Sequence, residues 1–194
     1  MKEIYFVTGN ENKVKELNIL SKDLFEVKRI TDIAREREII EDGRTFEENS
    51  LKKILAYRDL NKYLIADDSG LQIDALDGKP GVHSARFLGD TSYFEKMEMI
   101  LNKIKNSENR RARFVCSAFY FDPSKNIFLC KTGTVEGRIS YEIKGTEGFG
   151  YDPFFIPEGY EQTFGELGKE IKNKISHRAK AFKELFLLIK EISL

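Results

Sequence analysis

Short apolar runs alternate with stretches whose apolar residues fall at helix spacing, and this alternation constrains the chain more than any other feature. Residues 4–7 form a strand-length apolar run that ends at Thr8-Gly9-Asn10. Val14, Leu17 and Leu20 then follow on one helix face. Residues 25–30 read as a second strand, and a polar, charged stretch runs on to Gly43. Thr45 with Glu48 three residues later opens a helix predicted to about residue 62, in a capping-box pattern. Residues 63–66 read as a buried strand that enters the acidic turn Asp67-Asp68-Ser69-Gly70, and residues 71–73 continue extended. Gly78-Lys79-Pro80-Gly81 predicts a loop. A helix over 91–104 follows, with Phe94, Met97, Ile100, Leu101 and Ile104 on one side. Residues 112–121 and 127–135 read as a hairpin turning at Asp122-Pro123-Ser124. A glycine-rich aromatic loop spans 145–157. A last helix over 176–192 buries Ala179, Phe182, Leu185, Phe186 and Ile189. Strands alternating with helices, plus one long hairpin, predict a mixed-sheet α/β architecture. No repeat or linker interrupts it, so residues 1–194 are expected to form a single domain.

Composition narrows the function classes. Thirty-two Lys plus Arg balance 32 Asp plus Glu, which argues against a globally basic nucleic-acid binder or an acidic tail. Cys116 and Cys130 lack metal spacing and sit in apolar strand-like runs, as expected of inert buried thiols. The N-terminal run is too short and too soon charged for a secretory leader, and no apolar run reaches membrane-spanning length. A cytoplasmic protein with no membrane or nucleic-acid partner is expected.

Five clusters are candidates for chemistry. Thr8-Gly9-Asn10-Glu11-Asn12-Lys13 opens a helix, where unpaired backbone N–H groups and the dipole suit phosphate; on this cluster alone a plain capped helix start is the stronger reading. In Asp67-Asp68-Ser69-Gly70 two adjacent carboxylates after a buried strand need cationic compensation. Neighbouring side chains at a strand end point apart, so one Asp can face a metal while the other anchors the loop. A solvated Asx-turn with Gly70 at positive φ is the competing reading. Glu41-Asp42-Gly43 is a helix-capping turn unless a second acid joins it. Glu41 with Asp68 could serve Mg²⁺, which takes one or two carboxylates plus substrate oxygens. Gly145-Thr146-Glu147-Gly148-Phe149-Gly150-Tyr151-Asp152-Pro153 suits either a planar ligand stacked on a ring or a tight turn packing its own aromatics. Finally, His177 and Arg178 follow the N-cap residue Ser176, where the dipole disfavours cations, which points to an anionic or carbonyl-bearing partner.

In this order the motifs resemble the inosine triphosphate pyrophosphatase family. The resemblance runs from Thr8-Gly9-Asn10 through Phe46-Glu47-Glu48-Asn49 and Ala66-Asp67-Asp68-Ser69-Gly70-Leu71. It continues through Pro80-Gly81-Val82-His83-Ser84-Ala85-Arg86-Phe87, Gly148-Phe149-Gly150-Tyr151-Asp152-Pro153 and Ile175-Ser176-His177-Arg178. It implies a curved central mixed sheet flanked by helices, two lobes with a central cleft, and a homodimer. It also implies Mg²⁺-dependent cleavage of ITP, dITP and XTP to the monophosphate and pyrophosphate. By the same resemblance Thr8, Gly9, Asn10, Glu11, Asn12 and Lys13 hold the triphosphate with Lys53. Asp68 is the general base and, with Glu41, a metal ligand; Ser69 touches the nucleotide. Phe149, with Gly150 and Tyr151, stacks on the base, and Asp152, Lys172, His177 and Arg178 line its edge. A Maf-like pyrophosphatase for modified pyrimidine or methylated nucleotides is the alternative, against which Ser176-His177-Arg178 argues. Both acids and Lys13 argue against a non-catalytic nucleotide binder.

Overall fold

The apolar run behind Lys2 becomes a strand whose two faces go to two different cores. In the computed structural model, which describes residues 2–21 and 24–193, the main elements are β1 (Lys2–Phe6), α1 (Glu11–Ser21), β2 (Phe25–Arg29), α2 (Phe46–Tyr57) and β3 (Leu64–Ile73). They continue with β4 (Lys79–Pro80), α3 (Tyr93–Lys103), β5 (Arg111–Asp122), β6 (Ile127–Ile139), β7 (Phe155–Pro157), α4 (Phe164–Ile175) and α5 (His177–Ser193). The strand order is β2-β1-β3-β5-β6-β7, with β4 paired to β3. β1 runs parallel to β2 (Ile4 beside Val27) and to β3 (Tyr5 beside Leu64), as helical crossovers require. β3–β4 and β6–β7 are antiparallel, so the sheet is mixed, as expected.

The chain divides into two compact units. The first comprises residues 1–68, 116–133 and 178–194, and the second residues 69–115 and 134–177. In the first unit, period-2 alternation sorts the strand side chains onto opposite faces. Ile4, Phe6 and Ile65 pack with Leu17 of α1 and with Ala181, Phe182, Leu185, Phe186 and Ile189 of α5. Tyr5, Val7, Leu64 and Ala66 face the other way, onto Ile54 and Tyr57 of α2. Each fully buried side chain of this size contributes about 1.5–3 kcal/mol. In the second unit, Leu71, Ile73, Met97, Ile100, Phe114, Val135, Phe154, Phe155 and Phe164 form the core.

Several expectations change. Residues 67–70 form no turn: β3 runs through them unbroken for ten residues, and Gly70 is not among the glycines with positive φ. Lys79–Pro80 pairs as a short strand with Gln72 and Ile73 rather than lying in an open loop. Phe94 is exposed, because α3 begins at Tyr93 and its buried face is Met97 and Ile100. Thr45 caps α2 by accepting from the Glu48 N–H, but the Glu48 carboxylate returns to the Arg44 N–H, one residue earlier than the box predicts. The hairpin turn is held by Asp122 Oδ1, which accepts from the Ser124 and Lys125 N–H groups. α4 had no counterpart among the expected elements. Gly168, at φ 77°, breaks its helical backbone, although Phe164, Leu167, Ile171 and Ile175 keep helix spacing across it.

Candidate active site

The strand alternation that sorts the core also separates the two acids. Asp67 shares the face of Ile65, toward α1 and α5; Asp68 shares the face of Leu64 and Ala66, toward α2. Asp67 Oδ1 accepts from Lys13 Nζ of α1 at 2.8 Å, and Oδ2 accepts from Arg178 Nε of α5 at 3.1 Å. Arg178 in turn donates from Nη1 to Glu16 Oε2 at 2.8 Å. Burial pushes the Asp67 carboxyl up, but Lys13 and Arg178, aided by Lys53, outweigh it and hold the acid well below the usual carboxylate range. Burial lowers the pKa of Lys13 against the pull of Asp67. The Cys116 thiol lies 3.7 Å from Asp67 Oδ2, and burial first, then the carboxylate, push its pKa up, so it stays protonated and inert.

Asp68 has different company. Oδ2 accepts from Asn49 Nδ2 at 3.0 Å, and Oδ1 lies 3.8 Å from Lys53 Nζ. The same ammonium meets Glu41 Oε2 at 2.9 Å and donates to the Asp67 carbonyl at 3.0 Å. Asn49 and Lys53 are one helical turn apart, so both address β3 from one face of α2. Burial raises the Asp68 pKa; Lys53 and Asn49 oppose that rise without cancelling it. Lys53 is itself raised: burial works against its charge, but Asp68, Asp67 and Glu41 prevail. Two carboxylates thus converge on one cation. Among the described residues no group of three or more His, Cys, Asp or Glu forms a cage. Such a donor set fits a hard divalent cation completed by substrate and water oxygens, not an all-protein Zn²⁺ or Ca²⁺ site.

The start of α1 is well formed. Thr8 Oγ1 accepts from the Asn10 N–H at 3.1 Å, and Asn10 Oδ1 accepts from the Asn12 N–H at 2.9 Å and the Lys13 N–H at 3.4 Å. Gly9 is exposed at the bend between them. Glu11 turns to Arg29 on the surface, at 2.9 Å.

In the second unit the aromatic loop and α4 build a separate cluster. Asp152 Oδ2 accepts from Lys172 Nζ at 2.6 Å and from the Phe149 N–H at 2.7 Å. The Lys172 ammonium lies 4.0 Å from the centroid of the half-buried Phe149 ring. Tyr151 anchors the loop by donating to the Ser84 carbonyl at 3.0 Å, and Gly150 bends it at φ 67°. His177 stacks on Phe114 at 4.8 Å. Ser69, the first residue of this unit, is half-buried on β3.

Within the first unit the structure therefore brings Lys13 and Arg178 together at Asp67, and Glu41 and Asp68 together at Lys53. Within the second it brings together Phe149, Asp152 and Lys172. Sequence reasoning assigned no role to Glu16 or Asn49. Asn49 was visible only as a member of the motif after Thr45. Glu16 lies one turn after Lys13, a spacing that gains meaning once Arg178 is known to face α1.

The mixed-sheet α/β fold carries two carboxylates, Asp68 and Glu41, set beside Lys53, a donor set that suits a divalent cation and an anionic ligand. The chain belongs to the Ham1 family, whose model matches residues 4–187. It is 42% identical over 191 residues to the dITP/XTP pyrophosphatase of Dictyoglomus thermophilum, covering 96% of this chain and 93% of that one. It is 44% identical over 194 residues to the dITP/XTP pyrophosphatase of Bacillus subtilis, covering 97% and 98%. Among solved structures it matches the Staphylococcus aureus Ham1 protein with a TM-score of 0.89 at 38% identity, covering 98% of this chain and 99% of that one.

Proposed function

We propose that this protein hydrolyses non-standard purine nucleoside triphosphates, dITP, ITP and XTP, to the monophosphate and pyrophosphate. The convergence of Asp68 and Glu41 on one cation, beside Lys13, carries the reading. Full-length relatives named dITP/XTP pyrophosphatase support the substrate class. In this reading Asp68 takes the proton of the attacking water as the bond to the pyrophosphate leaving group breaks. Asp67 is committed to Lys13 and Arg178 on the opposite face of β3, which leaves Asp68, beside Glu41 and Lys53, as the acid placed for this role. Thr8 to Asn12, with the α1 N-terminus, Lys13 and Lys53, bind the phosphate chain, and Ser69 touches the nucleotide. Glu41 and Asp68 hold Mg²⁺, which when bound neutralises charge on the phosphate oxygens. The base stacks on Phe149 in the loop with Gly150 and Tyr151, and His177, Lys172 and Asp152 recognise its edge. Arg178, which the resemblance also assigns to that edge, is fixed by Asp67 and Glu16.

Hypoxanthine and xanthine present a 6-oxo acceptor to donors such as His177 and Lys172. Adenine presents an amino donor there and strands them, and stranded buried polar groups discriminate strongly. The family model covers both units, which supports reading 1–194 as one catalytic domain. By the resemblance we take the working form to be a homodimer, and from the sequence reading we take it to be cytoplasmic. The test is a rate panel of dITP, ITP, XTP, dATP and dGTP with Mg²⁺. The oxo-purine substrates without a 2-amino group are expected to exceed dATP and dGTP by at least tenfold. Equal rates for dATP and dITP would remove the assignment.

A further inference from the structure

We infer that Asn49 is a positioning residue that fixes which oxygen of Asp68 faces the metal site and ties the Glu41 loop to the same carboxylate. The inference rests on the proposed function for its catalytic arm. Asn49 is wholly buried in the first turn of α2, and both ends of its amide are engaged. Oδ1 accepts from the Gly43 N–H at 2.8 Å, and Nδ2 donates to Asp68 Oδ2 at 3.0 Å. The two partners determine the amide orientation: a backbone N–H requires the oxygen, and an ionised carboxylate requires the NH₂. A carboxylate at position 49 could satisfy only Gly43, and an apolar side chain could satisfy neither.

The contact at Gly43 is close enough to exclude a side chain. A Cβ placed there would lie 2.6 Å from Asn49 Oδ1 and 2.8 Å from the Glu48 Cβ. Two residues upstream, Glu41 reaches Lys53, one turn along α2 from Asn49. One helix face therefore holds Asp68 at both oxygens, Oδ2 through Asn49 and Oδ1 toward Lys53, and holds the 41–43 loop at two points. With Oδ2 engaged by the amide, Oδ1 is the oxygen turned toward Lys53 and Glu41. Loss of the amide frees the carboxylate to rotate and unpins the loop together, and misplacement of this order at reacting groups is expensive.

The test uses Asn49→Ser and Gly43→Ala, which break the link from its two sides, and the double variant. Each is checked for folding by circular dichroism. It is then measured for Mn²⁺ affinity, from the free-ion electron paramagnetic resonance signal, and for kcat and KM with dITP. Both single variants should lower kcat at least tenfold and weaken Mn²⁺ binding at least threefold, with KM changed less than threefold. The double variant should be no worse than the poorer single, because one link is broken twice. Wild-type kcat and Mn²⁺ affinity in a folded Asn49→Ser protein would overturn the assignment, as would losses that multiply in the double variant. If Asn49→Ser does not fold, Gly43→Ala alone decides by the same two readouts. Wild-type protein inert toward dITP would count against the proposed function, while the Mn²⁺ arm would still judge Asn49.

Discussion

Replacing Asp67 with Asn should destabilise the fold by about 3–5 kcal/mol, the cost of breaking a buried ion pair from one side. Asp67 has no exposed side-chain surface and meets Lys13 at 2.8 Å and Arg178 at 3.1 Å. At an effective dielectric of about 20 each attraction is roughly 5–6 kcal/mol. Relief of the carboxylate's own desolvation, several kcal/mol, offsets part of that loss. Arg178 keeps Glu16 at 2.8 Å, so the greater damage falls on Lys13. Against a total stability of about 5–15 kcal/mol the change is large. Urea unfolding followed by circular dichroism should show it as a midpoint lowered by about 1.5–2.5 M, for a slope near 2 kcal/mol/M. The pH dependence follows from the lowered folded-state pKa of Asp67. Its contribution is complete above the unfolded value of about 4 and is lost as pH falls through the folded one. The gap between wild type and variant should therefore be constant from about pH 5 to 8 and narrow below about pH 4. A gap under about 1 kcal/mol at pH 7, or one that widens in acid, would refute the reasoning.

Other expected outcomes follow from single contacts. Asp68→Asn should lower kcat by about 10²–10⁴, the usual worth of a general base, while dITP binding by calorimetry changes only a few-fold; near-normal turnover would remove Asp68 from the mechanism. In that inactive background, Phe149→Ala should weaken dITP binding by roughly 10–100-fold through lost stacking, and unchanged affinity would place the base elsewhere. Gly145→Ala should cost about 2–4 kcal/mol, since φ is 83° and the new Cβ would meet the Gly165 backbone at 2.1 Å. Calorimetry should then show a melting temperature lower by roughly 5–15 °C, and an unchanged value would contradict the packing described.

Local signals carried the fold a long way. The continuous apolar runs at residues 4–7 and 63–66 and the helix spacing at 179–189 predicted the elements that bury those residues. Asp67-Asp68-Ser69-Gly70 was misread as a turn because nothing nearby in sequence compensates two adjacent acids. The compensating cations come from 54 residues before Asp67, at Lys13, and 111 after it, at Arg178, and they let the strand continue. The expectation that the two acids point apart came from strand geometry, and it holds: Asp67 meets α1 and α5, and Asp68 meets α2. Asn49 escaped notice because an Asn in a helix's first turn reads as a local feature, and its two partners are assigned only when β3 and the 41–43 loop are in place. α4 went unread although its signals are local: Thr163 with Glu166 forms a capping box and Phe164, Leu167, Ile171 and Ile175 are helix-spaced, but Gly165 and Gly168, poor helix formers, lie among them.

Phosphorus NMR of a dITP reaction with Mg²⁺ identifies the bond that breaks. Cleavage between the α- and β-phosphates gives equal amounts of dIMP and pyrophosphate with no intermediate diphosphate. Release of orthophosphate with dIDP would contradict it.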